Sequence, residues 1–223
     1  MTLDEKIAEA ANVVRAELGK QPERACVTSS FQAECMAVVD LVTREYPDIP
    51  VLFLETGYHF PETYAYRDQM AQRYGLRLRN LQSQLSVQDQ ESQFGILYQR
   101  QPDRCCAMRK VEPLFAALAD YDVWFTALRR EQSPTRANLA VADDFKLPAG
   151  KHLRKISPLA DWTNRDVWAY LKRQSIPALP LYDRGYTSIG CAPCTALPLD
   201  PDNPRSGRWA GRKLECGIHI GSD

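Results

Sequence analysis

Ala25-Cys26-Val27-Thr28 is a short apolar run that passes through Ser29-Ser30-Phe31-Gln32 into Ala33-Glu34 and a helical stretch reaching Tyr46, where Pro47 ends it. A buried strand, a polar turn and a helix in that order open an α/β unit. In open α/β sheets ligands bind beyond the carboxyl ends of strands, where a helix N-terminus offers free N–H groups to an anion. Ser29, Ser30, Phe31 and Gln32 occupy that place, although serines there can equally serve to cap the helix.

The same alternation continues outward in both directions. Leu3, Ile7, Ala11, Val14 and Leu18 recur at helical spacing and predict a helix over Leu3–Leu18 with one apolar stripe. Val51 to Leu54 reads as a second strand, closed by Thr56 and Gly57, which can border the same crevice as the first turn. Pro61 suits the first turn of a helix that runs to Tyr74, and Gly75 introduces a strand over Leu76 to Leu81. Lys110 to Ala119 reads as helix and Val123 to Ala127 as strand; Thr163 with Asp166 three positions on resembles a capping arrangement opening a helix to Arg173. The βαβα order implies a mostly parallel sheet flanked by helices. From Ser175 onward Pro177, Pro180, Pro193, Pro198, Pro201 and Pro204 break regular structure. The expectation is one domain over 1–223, with an α/β core at 1–174 and an irregular arm at 175–223.

Composition limits the class of protein. The 223 residues are 44% hydrophobic and 25% charged, close to the globular average, which excludes wholesale disorder. Lys+Arg 28 balances Asp+Glu 28, so no general basic surface is available for nucleic acid. The longest apolar runs fall far short of the ~18 residues of a membrane span. Asp4, Glu5, Lys6 and Glu9 stand where a signal peptide needs an apolar stretch. No nucleic acid, no membrane and a cytoplasmic location are therefore expected; a homo-oligomer stays open.

Seven cysteines in such a chain point to ligands, a nucleophile or core residues rather than disulfides. Cys26 and Cys35 lie in apolar stretches and read as small buried hydrophobes. Cys105 and Cys106 are adjacent, and Cys191-Ala192-Pro193-Cys194 is a CxxC. These two pairs supply a four-thiolate set suited to zinc or an iron–sulfur cluster. Adjacent side chains diverge, which favours reaching two irons of one cluster over clasping a single ion.

Basic groups gather at strand ends and in the arm: Arg129, Arg130 and Arg136, then Arg205, Arg208, Arg212 and Lys213. In a neutral chain that grouping suits a small polyanion, against the plain alternative of a solvated basic face. In Glu215-Cys216-Gly217-Ile218-His219, neighbouring Arg212, Lys213 and His219 would favour the nucleophilic thiolate of Cys216. Gly211 and Gly217 would let it swing. His59 and His152 read as structural.

Taken together, Ser29-Ser30-Phe31-Gln32-Ala33-Glu34, Leu54-Glu55-Thr56-Gly57-Tyr58-His59-Phe60-Pro61-Glu62-Thr63, Arg104-Cys105-Cys106-Ala107-Met108-Arg109-Lys110-Val111, Arg129-Arg130-Glu131-Gln132-Ser133, Gly190-Cys191-Ala192-Pro193-Cys194-Thr195, Arg205-Ser206-Gly207-Arg208-Trp209 and the terminal Glu215 to His219 resemble the assimilatory adenylylsulfate (APS) reductases. These are the iron–sulfur members of the phosphoadenylylsulfate (PAPS) reductase family. The resemblance implies an adenine nucleotide α-hydrolase-like fold with a modified pyrophosphatase loop, and thioredoxin-dependent reduction of APS to sulfite and AMP through an S-sulfocysteine. It implies that Cys105, Cys106, Cys191 and Cys194 ligate a [4Fe–4S] cluster, that Lys110 links cluster region and substrate, and that Cys216 is the nucleophile. Ser29 to Gln32 would line the nucleotide pocket, and Arg136, Arg205, Arg208 and His219 would meet the phosphosulfate. No thioredoxin-like domain follows, so the reductant is expected to be a separate thioredoxin. The rival readings are PAPS reduction or dual specificity, an ATP-dependent thiolation enzyme of the pyrophosphatase-loop type, and a zinc-binding interaction protein.

Overall fold

The computed structural model describes residues 1–19, 21–200, 203–211 and 215–219. Six strands form one sheet in the order β3-β2-β1-β4-β6-β5. They are β1 (Ala25–Thr28), β2 (Pro50–Glu55), β3 (Arg77–Gln82), β4 (Val123–Phe125), β5 (Ala142–Lys146) and β6 (His152–Ile156). All neighbours pair parallel except β5, which runs antiparallel to β6. The β5–β6 hairpin is an addition to the expected elements.

The helices follow from local signals. In α1 (Leu3–Leu18), Thr2 and Glu5 form a reciprocal capping box. Next, α2 (Ala33–Glu45) buries Met36, Ala37, Val38, Val39, Leu41 and Val42 against the sheet. Pro61 opens α3 (Pro61–Tyr74), and Gly75 closes it in the left-handed conformation that glycine adopts without a Cβ penalty. Then come α4 (Val87–Phe94), α5 (Leu97–Arg100), α6 (Pro102–Cys106) and α7 (Glu112–Leu118). The Thr163–Asp166 box caps α8 (Asn164–Arg173).

The expected helix from Lys110 is thus corrected. Ala107–Val111 is one π-helical turn, with the Glu112 N–H bonded to the Ala107 carbonyl, and it joins α6 to α7.

Two apolar cores lie on the two faces of the sheet. The larger holds Val14, Val27, Phe31, Met36, Phe53, Phe125, Trp162 and Tyr170. It also takes in Ile176, Leu179, Leu181 and Ile189 from the proline-rich arm. The smaller joins Cys26, Leu52, Leu114, Leu118, Trp124, Phe145 and Leu153, with Ile218 packed on it. Each buried Leu, Ile, Val or Phe contributes roughly 1.5–3 kcal/mol, so the arm's four residues tie it firmly to the core. No helix among the described residues is long and apolar enough to cross a membrane.

The chain steps from β1 to β2 and β3 on one side, then crosses to β4 on the other. That reversal leaves a crevice beyond the carboxyl ends of β1 and β4, the standard ligand position in such sheets.

Candidate active site

The loop after β1 is built by backbone strain and side-chain ties. Phe31 is a non-glycine residue in the left-handed region (φ 58°) and its ring is fully buried, edge-on to Phe53 at 5.8 Å. Only its backbone is therefore available to a ligand. The Phe31 N–H donates to Ser29 Oγ at 3.0 Å, and Gln32 Nε2 donates to Ser30 Oγ at 2.9 Å. Gln32 Oε1 accepts from the Ile189 N–H at 2.8 Å, which fastens the loop to the arm.

Thr56 and Gly57 form the second wall. Thr56 Oγ1 accepts from the Tyr58 N–H at 3.2 Å and from Cys191 Sγ at 3.3 Å. Gly57 has φ +73°, and a β-carbon there would press on Val87 Cγ2, so both conformation and space require glycine.

Cys105 and Cys106 end α6, and in the arm Cys191 precedes and Cys194 ends a short 3₁₀ turn. All four line one small cavity with Tyr58, Tyr98, Pro102, Arg109, Lys110 and Trp209. The sequence reading assigns no site role to Tyr58, Tyr98, Arg109 or Trp209. Burial and then mutual repulsion push the Cys105 thiol up to about 12 and the Cys194 thiol up to about 11. Burial thus favours the neutral thiol at Cys105 and Cys194, and a cation beside them would favour the thiolate. Among the described residues, no group of three or more His, Cys, Asp or Glu is placed to hold a metal ion.

Lys110 projects from the π-turn. Burial opposes its charge, but the Cys191, Cys216 and Cys106 sulfurs around it outweigh that and hold the ammonium above its ordinary value. Arg208 is buried, and Gly190 makes room for it: a β-carbon on Gly190 would overlap the guanidinium. Burial lowers the pKa of Arg208, the Cys191 and Cys216 sulfurs oppose this, and Nε lacks a hydrogen-bond partner among the described residues.

The C-terminal segment lies across these groups. Glu215 accepts from Arg136 Nε at 3.0 Å and Nη2 at 2.6 Å, and from Ser133 Oγ at 3.2 Å. Arg205 stands 3.8 Å from its carboxylate. Despite burial, these partners hold the Glu215 carboxyl below its ordinary value. Gly217 packs beside Val111, and the His219 ring stacks on Trp124 at 5.5 Å and 16°. Burial first, then Lys155, Arg136 and Arg205, keep the His219 imidazole neutral, and its Nδ1 has no partner among the described residues.

The structure thus brings the cysteine pairs, Lys110, Arg136, Arg205, Arg208, Cys216 and His219 around one region. Arg129 and Arg130 do not join it: Arg129 donates to the Trp162 carbonyl and Glu131, and Arg130 to the Leu139 carbonyl and Asp161. Arg212 and Lys213 lie outside the described residues. His59 sits among Phe53 and Tyr64 with Nε2 2.7 Å from the Leu54 carbonyl, and His152 pairs with Asp144.

Comparison with known proteins identifies the family. Residues 24–197 match the profile described as "Phosphoadenosine phosphosulfate reductase domain". The chain is 44% identical to the adenosine 5'-phosphosulfate reductase of Geobacillus kaustophilus over 92% of this chain and 86% of that one. It is 43% identical to the phosphoadenosine 5'-phosphosulfate reductase of Gloeobacter violaceus over 88% and 83%. In fold it is similar to the phosphate complex of phosphoadenylyl-sulfate reductase from Candida auris (TM-score 0.71, 24% identity, 87% of this chain and 96% of that one). Candida glabrata FMN adenylyltransferase is also similar in fold (TM-score 0.65, 13% identity, 99% and 75%). On the sequence match, this chain belongs to the phosphoadenosine phosphosulfate reductase family.

Proposed function

We propose that this protein is a cytoplasmic enzyme of assimilatory sulfate reduction that converts adenylylsulfate to sulfite and AMP, with a separate thioredoxin as reductant. The observation that carries the reading is Lys110, a cation that lines the four-cysteine cavity and interacts with the Cys216 sulfur as well. A charge in that position can neutralise a substrate sulfate while the thiolate approaches it.

Two steps complete the reaction. The Cys216 thiolate attacks the sulfonyl sulfur, the sulfur–oxygen bond to AMP breaks, and an S-sulfocysteine remains. A thioredoxin thiolate then attacks Cys216 Sγ and expels sulfite, and the second thioredoxin thiol resolves the mixed disulfide. The obstacle is electrostatic, because an anion must approach an anion. Lys110, Arg136, Arg205 and Arg208 supply preorganised cations that offset ground-state repulsion and stabilise the leaving phosphate. Neutral His219 adds a hydrogen-bonding edge, and the loop Ser29 to Gln32 with Thr56 and Gly57 receives the nucleotide.

Cys105, Cys106, Cys191 and Cys194 would hold a [4Fe–4S] cluster. When bound, it would supply structural closure between π-turn and arm and tune the charge near Lys110; both electrons come from thioredoxin.

The test is anaerobic sulfite release with reduced thioredoxin, comparing APS and PAPS at matched concentrations. Strong preference for APS supports the reading. Equal or better turnover of PAPS assigns the same chemistry to the other nucleotide, a reading kept alive by the relative named a phosphoadenosine 5'-phosphosulfate reductase. No sulfite from either overturns it. Cys216→Ser should abolish sulfite formation while leaving AMP binding intact.

A further inference from the structure

Strand β6 alternates strictly. Leu153 enters the smaller core, Arg154 points out to Glu17, and Ile156 enters the larger core on the opposite face. Position 155 therefore belongs to the inward face beside Leu153, where an apolar residue is the simple solution. It is a lysine, and it is only 5% exposed.

Its surroundings are specific. In register, Lys155 lies between Trp124 of β4 and Asp143 of β5. Its ammonium sits 5.5 Å from the Trp124 ring centre and 4.9 Å from that of Phe145, within cation–π range. It donates to the backbone carbonyl of His219 at 3.0 Å. The His219 ring stacks on that same Trp124, and Ile218 packs on the same face. Three contacts from one patch of sheet thus seize the residues directly after Cys216. Asp143, Arg136 and Glu215 are the charged groups facing Lys155, and burial dominates them, lowering its pKa to about 8. The sheet retains this cation against a desolvation cost, so the contact it makes is more than filler.

We propose that Lys155 is the positioning residue for the nucleophile: through the His219 carbonyl it clasps the C-terminal segment onto the sheet, and Cys216 reaches substrate sulfur only while that clasp is made. Lys155 touches the tail and not the reacting atoms. The inference depends on Cys216 being the nucleophile, and the experiment below separates the two.

The loaded enzyme is compared as wild type, Lys155→Met and Lys155→Arg. Two quantities are read. One is the single-turnover rate of sulfo transfer from saturating APS to Cys216, followed by intact mass, together with AMP affinity. The other is deuterium uptake by the C-terminal peptide without substrate. Lys155→Met keeps the stem and loses the donor; transfer should slow about 10²-fold, the scale for misplacing a reacting group by about an ångström. AMP affinity should stay within about threefold and deuterium uptake should rise. Lys155→Arg restores a charged donor and should return uptake to the wild-type level and transfer to within about tenfold.

Unchanged transfer and uptake in Lys155→Met would overturn the proposal. So would weakened AMP binding with normal transfer at saturation, which would make Lys155 a substrate-binding group. Should the methionine variant be insoluble, a full 10²-fold loss in Lys155→Arg would overturn it. If wild type forms no adduct on Cys216, the nucleophile reading fails, and deuterium uptake alone decides the clasp.

Discussion

The Arg208 guanidinium lies directly against the backbone of Gly190, so closely that a β-carbon at 190 would occupy its space. Gly190 precedes the CxxC, and Arg208 pairs in a short antiparallel bridge with Thr195 just after it. The absence of a side chain at one position therefore sets the place of a cation at the other. The Gly190 backbone is not in the left-handed region, so alanine is conformationally permitted and the conflict is purely steric.

Gly190→Ala should displace Arg208 and lower kcat/KM for APS by roughly 10²–10³-fold, the cost of losing one preorganised donor. Steady-state sulfite release checks the rate, and circular dichroism should show the fold retained. A variant with near-normal kcat/KM would remove Arg208 from the transition state.

Glu215 places a carboxylate on Arg136 and near Arg205, the two arginines proposed to meet the phosphosulfate. Substrate binding is then an exchange of one anion for another. Glu215→Gln removes the internal competitor, and AMP or inorganic sulfate should bind tighter by a factor of about 5–10, a gain of roughly 1 kcal/mol. Calorimetric titration reads this directly. Weaker binding in the variant would mean that Glu215 orients the arginines instead of competing for them.

The four cysteines are expected to act as one unit. Cys194→Ser should lose visible absorption and iron content together, and should lower the melting temperature by loosening the arm from the π-turn. Chelation of iron from wild type should reproduce the shift. Full iron content in the variant would exclude Cys194 as a ligand.

His59 supplies a pH dependence of stability. Burial lowers its pKa from 6.5 to about 4, against the pull of the Leu54 carbonyl. The unfolded chain therefore binds the proton more readily between those values. Stability from neutral His59 is fully present above about pH 6.5 and is lost as pH falls toward 4, by up to ~3 kcal/mol. The melting temperature of wild type relative to His59→Phe should be highest at neutral pH and fall as pH drops from 6.5 toward 4. A constant difference would rule out His59 as the titrating group.

Much of this architecture was legible because single residues carry strong local signals. Apolar spacing marks α1 from Leu3 to Leu18, and Pro61 and Gly75 bracket α3. The cysteine pairs and the terminal Glu215 to His219 were legible from spacing and residue type. Less visible was the β5–β6 hairpin, whose polar Asp143, Asp144 and Arg154 look solvated until their inward neighbours are placed. Strand β3 begins at Arg77, one residue after the expected start, because the Leu76 N–H is taken by the Ala71 carbonyl at the end of α3. A lone lysine such as Lys155 reads as surface in any one-dimensional pattern; only its register beside Trp124 reveals it. Tyr58 and Trp209 reach the thiol cavity through long-range packing that no spacing encodes.

The π-turn at Ala107–Val111 has a consequence for how this segment can vary. A helix advances about 100° and 1.5 Å per residue. Deleting any one of those five residues would restore regular winding and rotate Cys105 and Cys106 by about 100° relative to Leu114 and Leu118, which are buried in the smaller core. Both sets cannot then be satisfied at once. The stretch should therefore absorb exchanges of side chain at a partly exposed position such as Met108 yet reject every change of length, so that insertions and deletions, rather than substitutions, are the lethal class of change here.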